Sequence, residues 1–170
     1  TGAFRSAPQA LRAAIGPSEP IRRAALHRNV STTVSHARFA YSLYVDEWPT
    51  TGRLEVNIVR FDAGGGGLRD FFLAVSANDV RYVEQSSGLT TQIPLSVPIP
   101  LKTWVRIELE VVLTGTKPVV VRVDGVEAAR TTAAYAAPGA PNVGVGITYT
   151  GPEAEAGVVL LDDVTFEILN

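Results

Sequence analysis

The chain contains no cysteine and no methionine. Without cysteine there is no disulfide framework, no thiolate metal site and no cysteine nucleophile. A first residue other than methionine reads as a processed or trimmed chain, with any signal peptide or lipid-attachment cysteine expected upstream. Excess positive charge is also lacking. The formal net charge is -2, which speaks against nucleic acid as a partner, because such binders carry a basic domain or stripe. Arg5, Arg12, Arg22, Arg23, Arg28 and Arg38 gather in the first quarter but are spaced as exposed strand positions. No apolar run reaches the 18 or so residues of a membrane span. No Gly-x-Ser-x-Gly elbow accompanies the two histidines, His27 and His36, so a Ser-His-Asp hydrolase has no support. Both histidines read as ordinary strand residues. Asn29-Val30-Ser31 spells a glycosylation sequon, a three-residue match close to chance.

What is present is alternation. A chain of 170 residues is long enough for one domain, residues 1–170, that buries roughly 70% of its unfolded surface. From residue 35 onward, apolar and polar residues alternate with the period of a half-buried strand. In "SHARFAYSLYVD", Phe39, Tyr41, Leu43 and Val45 face one way and His36, Arg38, Ser42, Tyr44 and Asp46 the other. In "RLEVNIVRFD", Leu54, Val56 and Ile58 are expected inward, with Arg53, Glu55 and Asn57 outward. "LRDFFLAVS" and "VRYVEQS" read as a hairpin around Asn78-Asp79. Pro94, Pro98 and Pro100 make "TTQIPLSVPIP" an edge strand or a crossing loop, since proline cannot donate to a ladder. The glycine run at residues 63–67 lacks the Lys-Ser/Thr of a phosphate-binding loop and reads as a mobile hairpin loop. "NVGVGITYT" places Gly144 and Gly146 on one face, leaving room for close packing or an approaching ligand. "APQALRAAI" and "PIRRAALHRNV" have helical composition, yet the all-β context favours two more strands. About eleven strands in all predict an all-β, antiparallel two-sheet β-sandwich.

The order of features goes further. An aromatic strand "FAYSLYV" is followed by "DFFLAV" and "VRYVEQ", Trp104 opens the next strand, and "VVVRVDGV", "VGVGIT" and "VVLLDDVTFEI" follow. This W…VDG…VGI…LDDV order resembles the concanavalin A-like lectin/glucanase jelly roll, in particular its laminin-G-like branch in bacterial surface proteins, over roughly residues 4–169. The family's opening strand, which pairs with the last one, is expected to be missing or trimmed. The resemblance implies a jelly roll whose concave face binds glycans in lectin and glucanase members, with many members non-catalytic. The expectation is therefore a non-enzymatic glycan-binding or adhesion module, secreted or in the cell envelope of a high-GC bacterium, with a glycan or cell-surface polysaccharide as partner. The alternative is a structural or protein-interaction sandwich with no carbohydrate ligand, contacting protein through an unpaired strand edge; a homo-oligomer is a further partner expectation under either reading. A polysaccharide-degrading enzyme ranks third.

Candidate ligand contacts are Arg38, Tyr44, Asn57, Phe72, Tyr82 and Arg106, which fall opposite the aliphatic positions of their strands, and Trp48, beside Pro49 in a loop. Trp104 reads as structural. Asp162 and Asp163 in "LLDDV" match the last-strand aspartates that hold a structural Ca²⁺ in such modules, so they are the metal candidates. Glu108 and Glu110 lie two apart on one strand, about 7 Å, within the range of a glycosidase pair. The glucanase signature of the superfamily, Glu-x-Asp-x-x-Glu or Glu-x-Asp-x-Glu, is absent. Cross-strand pairing with Arg106 and Arg122 accounts for both acids as a solvated ladder.

Overall fold

The computed structural model describes residues 10–16, 23–62, 67–77, 79–86, 88–135, 139–151 and 156–169. Among them are twelve strands and no helix. They are β1 (Leu11–Ile15), β2 (Ala24–Asn29), β3 (His36–Glu47), β4 (Arg53–Asp62), β5 (Leu68–Ser76), β6 (Asp79–Ser86), β7 (Leu89–Pro94), β8 (Trp104–Val112), β9 (Gly115–Val123), β10 (Val126–Tyr135), β11 (Ala140–Thr150) and β12 (Gly157–Ile168). They form two six-stranded antiparallel sheets. Sheet A runs β1-β12-β3-β8-β9-β10 and sheet B runs β2-β11-β4-β5-β6-β7. No described helix is long and apolar enough to cross a membrane.

The alternation does what its period demands. On β3, Phe39, Tyr41, Leu43 and Val45 are buried between the sheets, and on β8 Val105, Ile107, Leu109 and Val111 meet them. From sheet B come Leu54, Val56, Val59, Phe61, Phe71, Leu73 and Tyr82. Phe61 and Phe71 pack edge to face at 5.9 Å. The first part of the proline-bearing segment, to Pro94, is the edge strand β7, and Pro98 and Pro100 lie in the non-strand stretch that follows. Context overrides helical composition at both early segments, which are strands β1 and β2. One expectation is corrected here. The opening strand is not missing, since β1 pairs antiparallel with β12, from Leu11↔Leu161 to Ile15↔Gly157. The expected glycine loop lies outside the described residues except for Gly67.

A second correction concerns β4. Strict alternation places Asn57 outward and Ile58 inward. The structure does the reverse, because Asn57 adopts the left-handed region, φ 50°. The register against β5 slips between Val56 and Ile58. Such a bulge puts two consecutive residues, Val56 and Asn57, on the core side and returns Ile58 to the outer face. Asn57 Oδ1 accepts the Gly146 N–H at 2.7 Å. Gly146 itself sits at φ 120°, where an added Cβ would lie 2.2 Å from the Ala24 carbonyl oxygen. Glycine at 146 therefore allows β2 to close on β11.

Candidate active site

The outer face of sheet B is organised in rows that run across its strands. In one row Asn29, Asn142, Arg60, Asp70 and Gln85 stand side by side on β2, β11, β4, β5 and β6. The next row is His27, Gly144, Ile58, Phe72 and Val83. A third holds Tyr149, Glu55, Ala74 and Arg81. The rows follow from the pleat, which sends every second residue to one side. They meet the bulge described above, which draws Glu55 and Ile58 onto the same face although they are three apart in sequence. A cleft of about 410 Å³ opens over β2, β11, β4 and β5, with Arg23, Arg53, Arg60, His27, Tyr149 and Asn142 on its walls. Glu55 and Asp70 lie at its floor, 8% and 9% exposed.

Three guanidinium groups therefore face two carboxylates in one cleft. Arg60 donates from Nε and Nη2 to the two oxygens of Asp70, at 2.7 and 2.6 Å. This fork is the strong, charge-assisted kind of pairing, and it raises the guanidinium's already high pKa. Arg53 reaches Glu55 through one longer contact, Nη2 to Oε1 at 3.2 Å. Burial pushes the Glu55 pKa up against the opposing charge of Arg53, and the neighbouring Asp70 charge adds to the rise. His27 lies across β11 with Nδ1 3.3 Å from Asn142 Oδ1. Nδ1 is the donor in that contact, because the amide oxygen only accepts, and the neutral imidazole then keeps Nε2 as its acceptor. Gly144 makes this placement possible. A Cβ there would lie 2.7 Å from His27 Cε1 and 2.7 Å from Ile58 Cγ2.

The sequence-predicted contacts do not converge on this cleft. Arg38, Tyr44 and Arg106 stand on the outer face of sheet A, the opposite side of the sandwich. Arg38 pairs with Glu167 at 3.6 Å. Tyr44 lies against Trp104 with ring centroids 5.3 Å apart. Arg106 donates to the Asp163 carbonyl at 2.8 Å rather than to a strand acid. Phe72 is on the outer face of sheet B but is 3% exposed, covered in a cluster with Ile58, Ala74 and Val83. Tyr82 and Asn57 were expected outward and are interior, 1% and 2% exposed. On β6 it is Val80, Tyr82 and Glu84 that face the core, which the short apolar count of that strand hides. Trp48 was expected to be an exposed contact; it packs half-buried against the core.

Asp162 and Asp163 occupy a second bulge, where the β12 register slips between Asp162 and Thr165 and Asp163 takes φ 50°. Asp162 Oδ1 accepts the Asp163 N–H at 2.8 Å. Among the described residues no three His, Asp or Glu side chains converge as a metal site. The guanidinium of Arg106 already sits on the Asp163 carbonyl. Asp162 Oδ1 and the Asp163 carbonyl, two of the oxygens that a cation of six to eight ligands would draw on, thus already have protein partners. Glu110 meets Arg122 at 3.0 Å and His36 Nε2 at 3.0 Å, as a half-exposed ladder would. Burial pushes its pKa up, but the hydrogen bonds from Arg122 and His36 outweigh that and the net shift is downward. A larger hollow of about 810 Å³ opens at the sandwich edge between β2 and β12, where an apolar wall of Leu11, Leu26, Val143, Val145 and Leu161 is met by His27, Arg28, Asp162 and Asp163. The smaller cleft is the one that gathers three guanidinium groups over two buried acids.

Sequence reasoning missed Tyr149, Arg53, Glu55, Arg60 and Asp70 as site residues, and dismissed His27. Two signals pointed to them: Arg53 and Glu55 on the polar side of β4, and Gly144 on β11, whose missing side chain makes room for a neighbour.

No family model and no curated protein sequence matches the chain. Solved structures do match. An endo-beta-1,4-glucuronan lyase from the fungus Trichoderma reesei superposes with a TM-score of 0.68 at 14% identity, over 94% of this chain and 81% of that one. A family 7 alginate lyase gives 0.68 at 9% identity, over 99% and 85%. A carbohydrate-binding module from Bacillus subtilis gives 0.54 at 11% identity, over 92% and 94%. These similarities establish a shared fold. They also overturn the expectation that the chain is not an enzyme. Several structures with this fold are polysaccharide lyases, so the fold gives no ground for calling the chain non-catalytic. The chain shares the jelly-roll β-sandwich fold of these structures, consistent with the concanavalin A-like resemblance of its sequence.

Proposed function

We propose that the cleft on sheet B binds an acidic polysaccharide and cleaves it by β-elimination at a uronate residue. The observation that carries this reading is the meeting of Arg53, Tyr149 and His27 in one cleft with more guanidinium groups than carboxylates. The named substrates of neighbouring lyases, glucuronan and alginate, support it. Elimination removes the proton on the carbon next to the sugar carboxylate and expels the glycosidic oxygen from the adjacent carbon. The proton is acidic enough to remove only when the carboxylate charge is neutralised, which a guanidinium or an amide does. The proton leaves one carbon and the glycosidic oxygen leaves the next, so one tyrosine can serve both: as phenolate it takes the proton, and as phenol it gives that proton to the departing oxygen and is phenolate again. Tyr149 is assigned that role, beside Glu55 in the row next to Arg53. His27, on β2 opposite Gly144 and so several residues along the sheet from Tyr149, is assigned to holding the sugar through Nε2. Placement outside the cell, where such polymers occur, belongs to the same proposal.

The test is incubation with a panel of uronate polysaccharides while following the ultraviolet absorbance of the unsaturated product. Absorbance should grow with wild type and fail to grow with Tyr149→Phe, which should still bind. Reducing ends without the absorbance would indicate hydrolysis and overturn the reading. So would turnover that is indifferent to Tyr149.

A further inference from the structure

The two ion pairs in the cleft differ in a way that the elimination chemistry does not require. Arg60 gives both ends of its fork to Asp70, whereas Arg53 holds Glu55 by one contact at 3.2 Å. The Arg53 side chain is 39% exposed, while that of Glu55 is 10% exposed. A solute entering the cleft therefore reaches Arg53 without moving Glu55 out of the floor. We propose that Glu55 gates the cleft by proton uptake: it holds Arg53 in the free protein and accepts a proton from solvent as the carboxylate of an acidic glycan takes its place on Arg53. The inference rests on the reading of the cleft as an acidic-glycan site.

The physical reason is that a carboxylate left in this floor without its cation has no good alternative. An uncompensated buried charge is expensive, and such groups neutralise instead. Burial already pushes the Glu55 pKa up, and Arg53 is the main opposing influence. A glycan carboxylate on Arg53 weakens that opposition and adds a second negative charge nearby. The other charged and titratable groups around Glu55 are Arg60 on its own strand, Asp70 on β5, Tyr149 on β11, and Arg23 and His27 from the β2 side. Asp70 is committed to Arg60. His27 is the other group whose ordinary pKa lies in the range of the experiment, so it is the control.

Calorimetric titration with an alginate trisaccharide and a glucuronan oligomer, at pH 6 in two buffers of different ionisation heat, counts the protons taken up. The whole chain should be used, with Tyr149→Phe added if the oligomer is consumed. Uptake of a substantial fraction of a proton per oligomer bound is expected and is lost in Glu55→Gln; His27→Gln binds more weakly and is titrated to saturation, where it should keep the same uptake per oligomer bound. Wild-type binding should tighten as pH falls from 7.5 to 5.5. Glu55→Gln should bind at pH 7 at least about fivefold tighter than wild type, with little pH dependence. Uptake per oligomer bound that survives Glu55→Gln, or that disappears in saturated His27→Gln, overturns the proposal. Should Glu55→Gln not fold, retention of the uptake in His27→Gln still supports the proposal and its loss still refutes it. Binding without proton uptake defeats this inference alone and leaves the acidic-glycan reading standing. Absence of binding to any uronate oligomer defeats both.

Discussion

The two outer faces of the sandwich use the same residue types to opposite ends. On sheet A, Arg122 and Glu110 meet with side chains 31% and 25% exposed, and Arg38 and Glu167 with 41% and 52%. On sheet B, the acids Glu55 and Asp70 are sunk to 10% and 12% while their arginines stay at 39% and 45%. In the first arrangement water screens both partners, and little free energy or chemistry follows. In the second, carboxylates are held in a poorly solvated floor beneath cations, which is how a site acquires perturbed protonation and spare positive charge. Composition did not distinguish the faces. Depth did, and depth came from the bulge at Asn57 and from the glycines of β11.

The sharpest way to break this contrast is through turnover. Tyr149→Phe should lower cleavage of a uronate polymer by about 10²–10⁴-fold, the range for removing a positioned acid–base group. Glu110→Gln on the other face should leave cleavage unchanged. Comparable losses from the two substitutions, measured as initial rates of unsaturated-product formation, would mean that the faces were assigned the wrong way round.

The next effects are on the backbone that shapes the cleft. Gly146→Ala places a Cβ against the Ala24 carbonyl at a φ that L-residues avoid, and should destabilise the fold by about 2–4 kcal/mol in denaturant titration. Gly144→Ala keeps an ordinary φ but drives a methyl into the His27 ring and Ile58. It should lower affinity for a uronate oligomer about tenfold, with a smaller loss of stability than Gly146→Ala. Equal stability losses would show that Gly144 serves packing rather than the placement of His27.

How far the sequence could be read follows the same divide. The period-2 runs on β3 and β8 named the core residues of sheet A correctly, because those strands pair residue for residue without interruption. On β4 the same rule failed after Val56, because one left-handed Asn moved every later side chain across the sheet. Asn is uncommon in strands and is among the residues that most readily turn left-handed, a weak signal that the unbroken alternation around it outweighed. The candidate contacts inherited a further difficulty. Alternation says that a residue faces outward but does not say from which sheet. Arg38, Tyr44 and Arg106 were therefore grouped with Phe72, although the sandwich lies between them. The site itself is made by strand order: β11 is inserted between β2 and β4, so Tyr149 meets Glu55 and Gly144 meets His27 across large gaps in the chain.

The two acids also predict opposite pH behaviour. The Glu110 pKa is lowered from its ordinary 4.5 in the folded protein. Its contribution to stability is thus present above pH 4.5 and lost as pH falls through the lower folded value. The Glu55 pKa is raised above 4.5. Its charged form opposes folding at neutral pH, and stability is recovered as pH falls through the raised value toward 4.5. At pH 7, Glu110→Gln should therefore cost about 0–1 kcal/mol, whereas Glu55→Gln should be neutral or stabilising. Unfolding midpoints at pH 7 and pH 5 check both signs: the Glu55→Gln difference should shrink at pH 5, and the Glu110→Gln difference should persist. A destabilised Glu55→Gln at pH 7 would mean that the Arg53 contact outweighs burial and that the floor is not the strained side of the contrast.

The smallest expected effect is none at all. If the bulge at Asp162 and Asp163 held a structural calcium, chelation would remove a ligand bound only to the folded state and lower the melting temperature. The structure gives those groups other work. Asp162 Oδ1 receives the Asp163 N–H, Ser42 Oγ stands 3.4 Å from Asp163 Oδ2, and Arg106 brings its positive charge to the Asp163 carbonyl. That charge would have to leave before a divalent cation could enter. Protein purified without chelator should therefore melt at the same temperature with and without excess EDTA, and added Ca²⁺ should leave the midpoint unmoved. A fall on chelation, restored by Ca²⁺ and absent in Asp162→Asn, would place a metal on sheet A. It would make that face more than a solvated ladder and end the contrast drawn between the two faces.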